Sequence, residues 1–288
     1  MSIDPSDVNF DTGLYRAIAA EPGNQFVSPY SVSACFALVY PGAGGTTARE
    51  IATVFGFDDD SQIEAQRTRA RADGIRNETG GSELNIANAV WVEETMQLLP
   101  AYARTIGETM GARIEAVPFI ANQRAALSTI NAWAARETRD RIPTILDEPD
   151  SDRRLVLTNA IYFKGKWTHP FSAAATRDGD FYTGADTRVP ARLMRKVTNA
   201  RYLDMPTFQL ADFEYDEGTF ALAVFLPRER TGLAAFEREL SGENLDTWLS
   251  NLSGAQRPRL DLGRCLCGRG ISEFVGSSER GLFRSRAG

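Results

Sequence analysis

The chain has 288 residues, 43% of them apolar and 24% charged, with 16 Phe and 4 Trp. That composition is ordinary for a globular protein and sufficient for a substantial core, in one large domain or two smaller ones. A formal charge of −6 argues against nucleic acid as a partner, because phosphate binding needs a concentrated basic surface.

Three cysteines, Cys35, Cys265 and Cys267, exclude a disulfide framework. No run is long and apolar enough to read as a transmembrane helix. The opening MSIDPSDVNF lacks a basic region followed by an apolar one, so no signal peptide is expected.

In chain order, helices come first. Ser6–Ala20 places Leu14, Tyr15 and Ile18 at helical spacing. Ser28-Pro29 is a helix-start pair: the serine hydroxyl accepts an orphan amide bond and proline tolerates the first helical position. The segment it opens, Tyr30–Tyr40, is apolar nearly all round and predicts a buried helix stopped by Pro41-Gly42. Thr47-Ala48-Arg49-Glu50 reads as a capping box for a helix ending at Gly56. The polar, Arg-rich stretch Ser61–Asn77 predicts a solvated helix.

Leu84–Val92 reads as a strand covered on both faces. Helices follow at Ala101–Met110 and Gln123–Arg139, with a strand at Arg113–Phe119 between them. Leu155–Phe163 is a long β-rich run without clean alternation, as in a strand buried on both sides. Short β-like runs dominate from Phe181 to Leu226, and helices at Leu233–Leu240 and Leu245–Leu252 follow. Helices early and strands late, without regular βαβ alternation, indicate an α+β protein.

The final segment breaks this pattern. Residues 263–288 hold 6 Gly, 5 Arg, 4 Ser and 2 Cys with little periodic apolar content. They read as linker, disorder or an out-of-frame sequence, separate from a unit spanning 1–262.

Candidate chemistry is sparse. His169 is the only histidine; no G-x-S-x-G elbow accompanies it, and Trp167, Pro170 and Phe171 suggest a packed turn. Gly42–Thr47 is a corner between helices, lacking the lysine of a phosphate loop. Cys265-x-Cys267 has no second ligand pair for zinc, so no metal or cofactor is expected. Cys35 reads as a small hydrophobe. The triplets Asn77-Glu78-Thr79 and Asn251-Leu252-Ser253 read as chance occurrences rather than glycosylation sites.

Five segments, in order, resemble the serpin family: NQFVSPYSVSACFALVYPGAGGTTAREI, LNIANAVWVEETMQLLPAYARTI, INAWAARETRDRIPTIL, LVLTNAIYFKGKWTHPF and FALAVFLPRE. The resemblance runs from about Val8 to Leu262. It implies N-terminal helices packed on mixed and antiparallel sheets, and no catalytic residues. In that family a protease cleaves an exposed reactive loop, which then inserts as a new strand and distorts the trapped enzyme. By resemblance Ser28, Ser31 and Asn159 match the shutter, where the main sheet parts, and Gly165 and Trp167 match the breach, where insertion begins.

After PRLDL the family continues with a further helix, a main-sheet strand, a hinge, the reactive loop and closing strands. The residues from Gly263 to Gly288 match none of these and supply no reactive-site bond. The expectation is a truncated serpin-like chain, incomplete at its C-terminus and non-inhibitory. It would be monomeric or aggregation-prone, with Leu155–Phe163 left as a hydrophobic sheet edge. Its partner by resemblance is a serine or cysteine protease, with an extracellular location implied by the family alone and no membrane association. A non-inhibitory serpin-like binding protein is the alternative; a hydrolase is disfavoured by the lone histidine.

Overall fold

The computed structural model describes residues 5–263, less 22, 78–80, 151, 183–184, 198–199, 219 and 257–258. Helices α1 (Pro5–Ala19), α2 (Pro29–Val39), α3 (Gly45–Phe55) and α4 (Ser61–Asn77) come first. Strand β1 (Glu83–Glu93) is followed by α5 (Pro100–Arg104), which runs into a π-helical turn over Thr105–Thr109, then by β2 (Arg113–Val117), α6 (Gln123–Glu137) and β3 (Leu155–Lys164). Next come β4 (Arg177–Tyr182), β5 (Arg188–Val197), β6 (Ala200–Asp204), β7 (Phe208–Tyr215) and β8 (Phe220–Pro227). Helices α7 (Leu233–Glu239) and α8 (Gly242–Ser250) lead into β9 (Ser253–Gln256) and β10 (Arg259–Gly263).

The strands form three sheets, ordered β2-β1-β3, β10-β5-β4 and β8-β7-β6-β9. In the first, β1 runs parallel to β2 and antiparallel to β3, from Glu83 opposite Lys164 to Val92 opposite Leu155. The mixed and antiparallel sheets carrying N-terminal helices are the α+β arrangement that the element order implied.

Strand periodicity sorts β1 and β3 into two faces. Ile86, Ile161 and Phe163 pack inward with Tyr30 and Ala34 of α2 and with Phe213, Tyr215, Phe220 and Leu222 of the β8-β7-β6-β9 sheet. Farther along, Val90 and Val92 join α2, α3 and α4 residues around Leu38 and Phe55. On the outer face Ala89, Trp91 and Ala160 meet Ile130, Trp133 and Ala134 of α6. Trp91, fully buried, donates its indole N–H to Thr158 Oγ1 at 2.9 Å across the pair of strands. A separate aromatic cluster of Phe208, Phe225, Phe236 and Trp248 fixes α7 and α8 on β7 and β8.

Several expectations are corrected. The capping box at Thr47 does not form: α3 begins three residues earlier, with Gly44 at the N-cap and Gly45 at φ +58°, a conformation that glycine enters without steric cost. Helix α4 is not merely solvated. Glu64, Ala65, Thr68, Ala72 and Ile75 are buried, and Glu64 keeps its charge satisfied by accepting from the Asp58 amide at 3.1 Å and the Thr68 hydroxyl at 3.2 Å. Helix α2 buries one face only; Phe36 is 40% exposed although its ring stacks on Phe55. The short strands β9 and β10 were not legible as strands. Among the described residues no helix is long and apolar enough to cross a membrane. Cys265-x-Cys267 and nearly all of the 263–288 segment lie outside the described residues, as do residues 78 and 79 of the first glycosylation-type triplet.

Candidate functional site

The feature that stands out is one edge of β3. Glu93 donates its N–H to Arg154 O at 2.9 Å, whereas Glu94 donates to Val117 O at 3.1 Å. Odd-numbered residues of β1 therefore direct their backbone groups at β3, and even-numbered ones at β2. Because Ala89 pairs with Thr158 in an antiparallel ladder, Val156, Thr158, Ala160 and Tyr162 bond back to β1. Leu157, Asn159, Ile161 and Phe163 direct theirs the other way. Among the described residues no strand pairs with β3 on that side.

Asn159 sits midway along this strand, directly opposite Asn88. Its Nδ2 donates to Asn88 Oδ1 at 2.7 Å, while its own Oδ1 is buried and receives no hydrogen bond among the described residues. A buried acceptor in this state costs about 1–3 kcal/mol. Helix α2 packs on β3 and brings Ser28 and Ser31 to the same side of the sheet. Ser28 caps α2, accepting from the Ser31 amide at 3.2 Å and the Ser31 hydroxyl at 2.9 Å. The structure thus pairs the two serines with each other and Asn159 with Asn88. Cys35, on the same helix, is half-buried, and burial pushes its thiol pKa up to about 11, consistent with an inert packing role.

Gly165 and Trp167 lie just past the end of β3. A Cβ at Gly165 would stand 2.8 Å from Phe163 Cζ, 2.9 Å from Tyr215 Cδ1 and 3.0 Å from Ser82 Oγ. Only a glycine lets the chain pass there. Trp167 stacks on Tyr215 with ring centroids 4.1 Å apart and forms a single antiparallel bridge to it. Thr168 N–H donates to Glu214 O and Asp216 N–H to Lys166 O, each at 2.9 Å.

Sequence reasoning passed over two residues here. Lys196 of β5 donates to His169 O at 2.7 Å and Pro170 O at 3.2 Å beneath the Phe171 ring; burial lowers its ammonium pKa. Asp216, at the end of β7, accepts from the Ser82 hydroxyl and the Lys166 amide. The His169 side chain itself is exposed and contributes only its carbonyl, so the packed turn belongs to Trp167 and Phe171. Among the described residues no group of three or more His, Cys, Asp and Glu is gathered as a metal would require.

Comparison with known proteins places this architecture. The family model for "Serpin (serine protease inhibitor)" matches residues 6–264. The chain belongs to the serpin family. It is 32% identical over 250 residues to Iripin-2 of Ixodes ricinus, covering 84% of this chain and 63% of that protein. It is 31% identical over 249 residues to Intracellular coagulation inhibitor 1 of Tachypleus tridentatus, covering 84% and 59%. The structure of ovalbumin from the emu, Dromaius novaehollandiae, superposes with a TM-score of 0.85 at 24% identity, covering 91% of this chain and 73% of that one. This serpin therefore spans less than two thirds of the length of these two relatives. Its family is one of protease inhibitors, not of enzymes.

Proposed function

We propose that this chain carries the strand-receiving part of a serpin, and that its 288 residues by themselves supply no strand to receive. In the inhibitory cycle that the family implies, a cleaved reactive loop pairs with a main-sheet strand. The reading assigns that receiving role to the free edge of β3. Asn159, with Ser28 and Ser31 on the covering helix, forms the shutter over which an incoming strand passes; Gly165 and Trp167 form the breach where it enters. The observation that carries this reading is the outward-facing backbone of Leu157, Asn159, Ile161 and Phe163, together with the unpartnered Asn159 Oδ1.

On this reading the partner class is a serine or cysteine protease, encountered outside the cell as for many serpins. The residue that selects the protease belongs to the reactive loop, which residues 1–262 do not contain and the 263–288 segment does not resemble. On this reading residues 1–288 taken alone do not trap a protease. The test is incubation with trypsin-, chymotrypsin- and elastase-type proteases, followed by denaturing electrophoresis. The expected result is cleavage, with protease activity unchanged and no covalent adduct; a denaturation-resistant complex of chain and protease overturns the reading.

A further inference from the structure

One residue beside the breach that no resemblance pointed to is Asp216. It stands at the turn between β7 and β8 with φ +39°, in the left-handed region that aspartate enters only at a steric cost. Its carboxylate Oδ2 accepts from two separate chain segments, the Ser82 hydroxyl just before β1 and the Lys166 amide just after β3, the latter at 3.3 Å. Its own N–H returns a bond to Lys166 O at 2.9 Å. Gly81 runs so close that a Cβ there would stand 3.2 Å from Asp216 Oδ1. One side chain thus joins the start of β1, the exit of β3 and the end of β7.

The other fastening of this corner is of a different kind. On the outer face Glu83 pairs with Arg139 at 2.5 Å and Lys164 at 3.5 Å, but these side chains are 40%, 62% and 52% exposed. Solvent-exposed pairs of this type contribute little and fade with salt. Hydrogen bonds from a buried hydroxyl and a backbone amide to a carboxylate are the stronger class. Ser82 is 8% exposed.

We propose that Asp216 is a latch: it holds the Gly165–Thr168 segment closed against the β8-β7-β6-β9 sheet and so sets how readily the far end of β3 separates from β7. The functional meaning of that opening rests on Gly165 and Trp167 being the breach, but the latch itself is a statement about local closure. Its geometry makes the left-handed turn secondary to the carboxylate, and that ordering distinguishes a latch from a mere turn residue.

The experiment uses residue-resolved amide hydrogen exchange on the full chain, comparing wild type with Asp216→Gly and Ser82→Ala. Glycine relieves the left-handed backbone while removing the carboxylate. Thr168 is the reporter, because its amide bonds to Glu214 O. Loss of a charge-assisted bond predicts exchange at Thr168 about 10-fold or more faster in Asp216→Gly, with a smaller increase in Ser82→Ala. Amides of β1 and β7 should be unchanged in both variants. Unchanged exchange at Thr168 in Asp216→Gly, or a uniform acceleration across the whole sheet, overturns the latch. The protease assay judges the breach reading separately, since adduct formation bears on loop insertion and not on closure of this corner.

Discussion

Replacing Gly165 by alanine puts a sign, not merely a size, on the packing beyond β3. Gly165 has no positive φ, so in open space the substitution would stabilise by about 0.4–1 kcal/mol through the unfolded chain. The added methyl instead meets Phe163, Tyr215 and Ser82 at 2.8, 2.9 and 3.0 Å. None of the three is a loose end. Phe163 is held edge-on by Tyr215 and by Phe220, each with centroids at 5.3 Å, Tyr215 is stacked under Trp167, and the Ser82 hydroxyl is tied to Asp216. Overpacking of this kind costs about 1–3 kcal/mol, which outweighs the entropic gain. The net effect is a destabilisation of about 1–2 kcal/mol, or a Tm lower by about 2–5 °C for a chain of this size. Calorimetry against the wild type reads it directly. Gly13→Ala is the control: nothing lies within 4 Å of its added Cβ, and its position inside α1 predicts a gain of about 0.5–1 kcal/mol. A Gly165→Ala protein melting at or above the wild-type temperature would refute the close approach on which this reasoning depends.

Three further outcomes follow from the same structure. Thr158→Val keeps volume and strand preference but leaves the buried Trp91 indole N–H without its acceptor, so denaturant titration should show a loss of about 1–3 kcal/mol. Phe208→Ala empties a fully buried site between Phe236 and Trp248 and should cost about 3–5 kcal/mol, seen as loss of near-ultraviolet circular dichroism at lower denaturant. Glu93 titrates with a definite sign. Burial pushes its carboxyl up, but hydrogen bonds from Ile120, Thr95 and Phe119 outweigh that and hold it below the ordinary glutamate value. A lowered folded pKa contributes stability above the unfolded value of about 4.3, and that contribution disappears as pH falls through the folded value. Glu93→Gln should therefore flatten the acid limb of the stability curve below about pH 5; an unchanged limb in urea titrations at stepped pH would rule this out.

How much was readable beforehand depends on how local each cause is. The Ser28 cap, helix α2, β1, the long β3 and the aromatic-rich β7–β8 pair followed from capping chemistry, apolar runs and β-branched or aromatic content, all settled within one segment. The capping box at Thr47 failed because flexible backbone at Gly44-Gly45 lets α3 start sooner. The buried face of α4 was hidden because Glu64 and Thr68 satisfy each other rather than water. At the site, Asn159 was recognisable by resemblance, but its pairing with Asn88 needed the β1–β3 register. Asp216 was invisible for a stronger reason. Its partners Ser82 and Lys166 are distant in sequence, and nothing in Tyr215-Asp216-Glu217 announces them.

The most direct test of the central claim is amide exchange along β3 itself. An open receiving edge predicts alternation: Val156, Thr158, Ala160 and Tyr162, bonded to β1, exchange slowly, while Leu157, Asn159 and Ile161, directed at the side where no described strand pairs, exchange rapidly. Uniform protection of all seven amides would mean that a strand already pairs with β3 there, and would contradict the account.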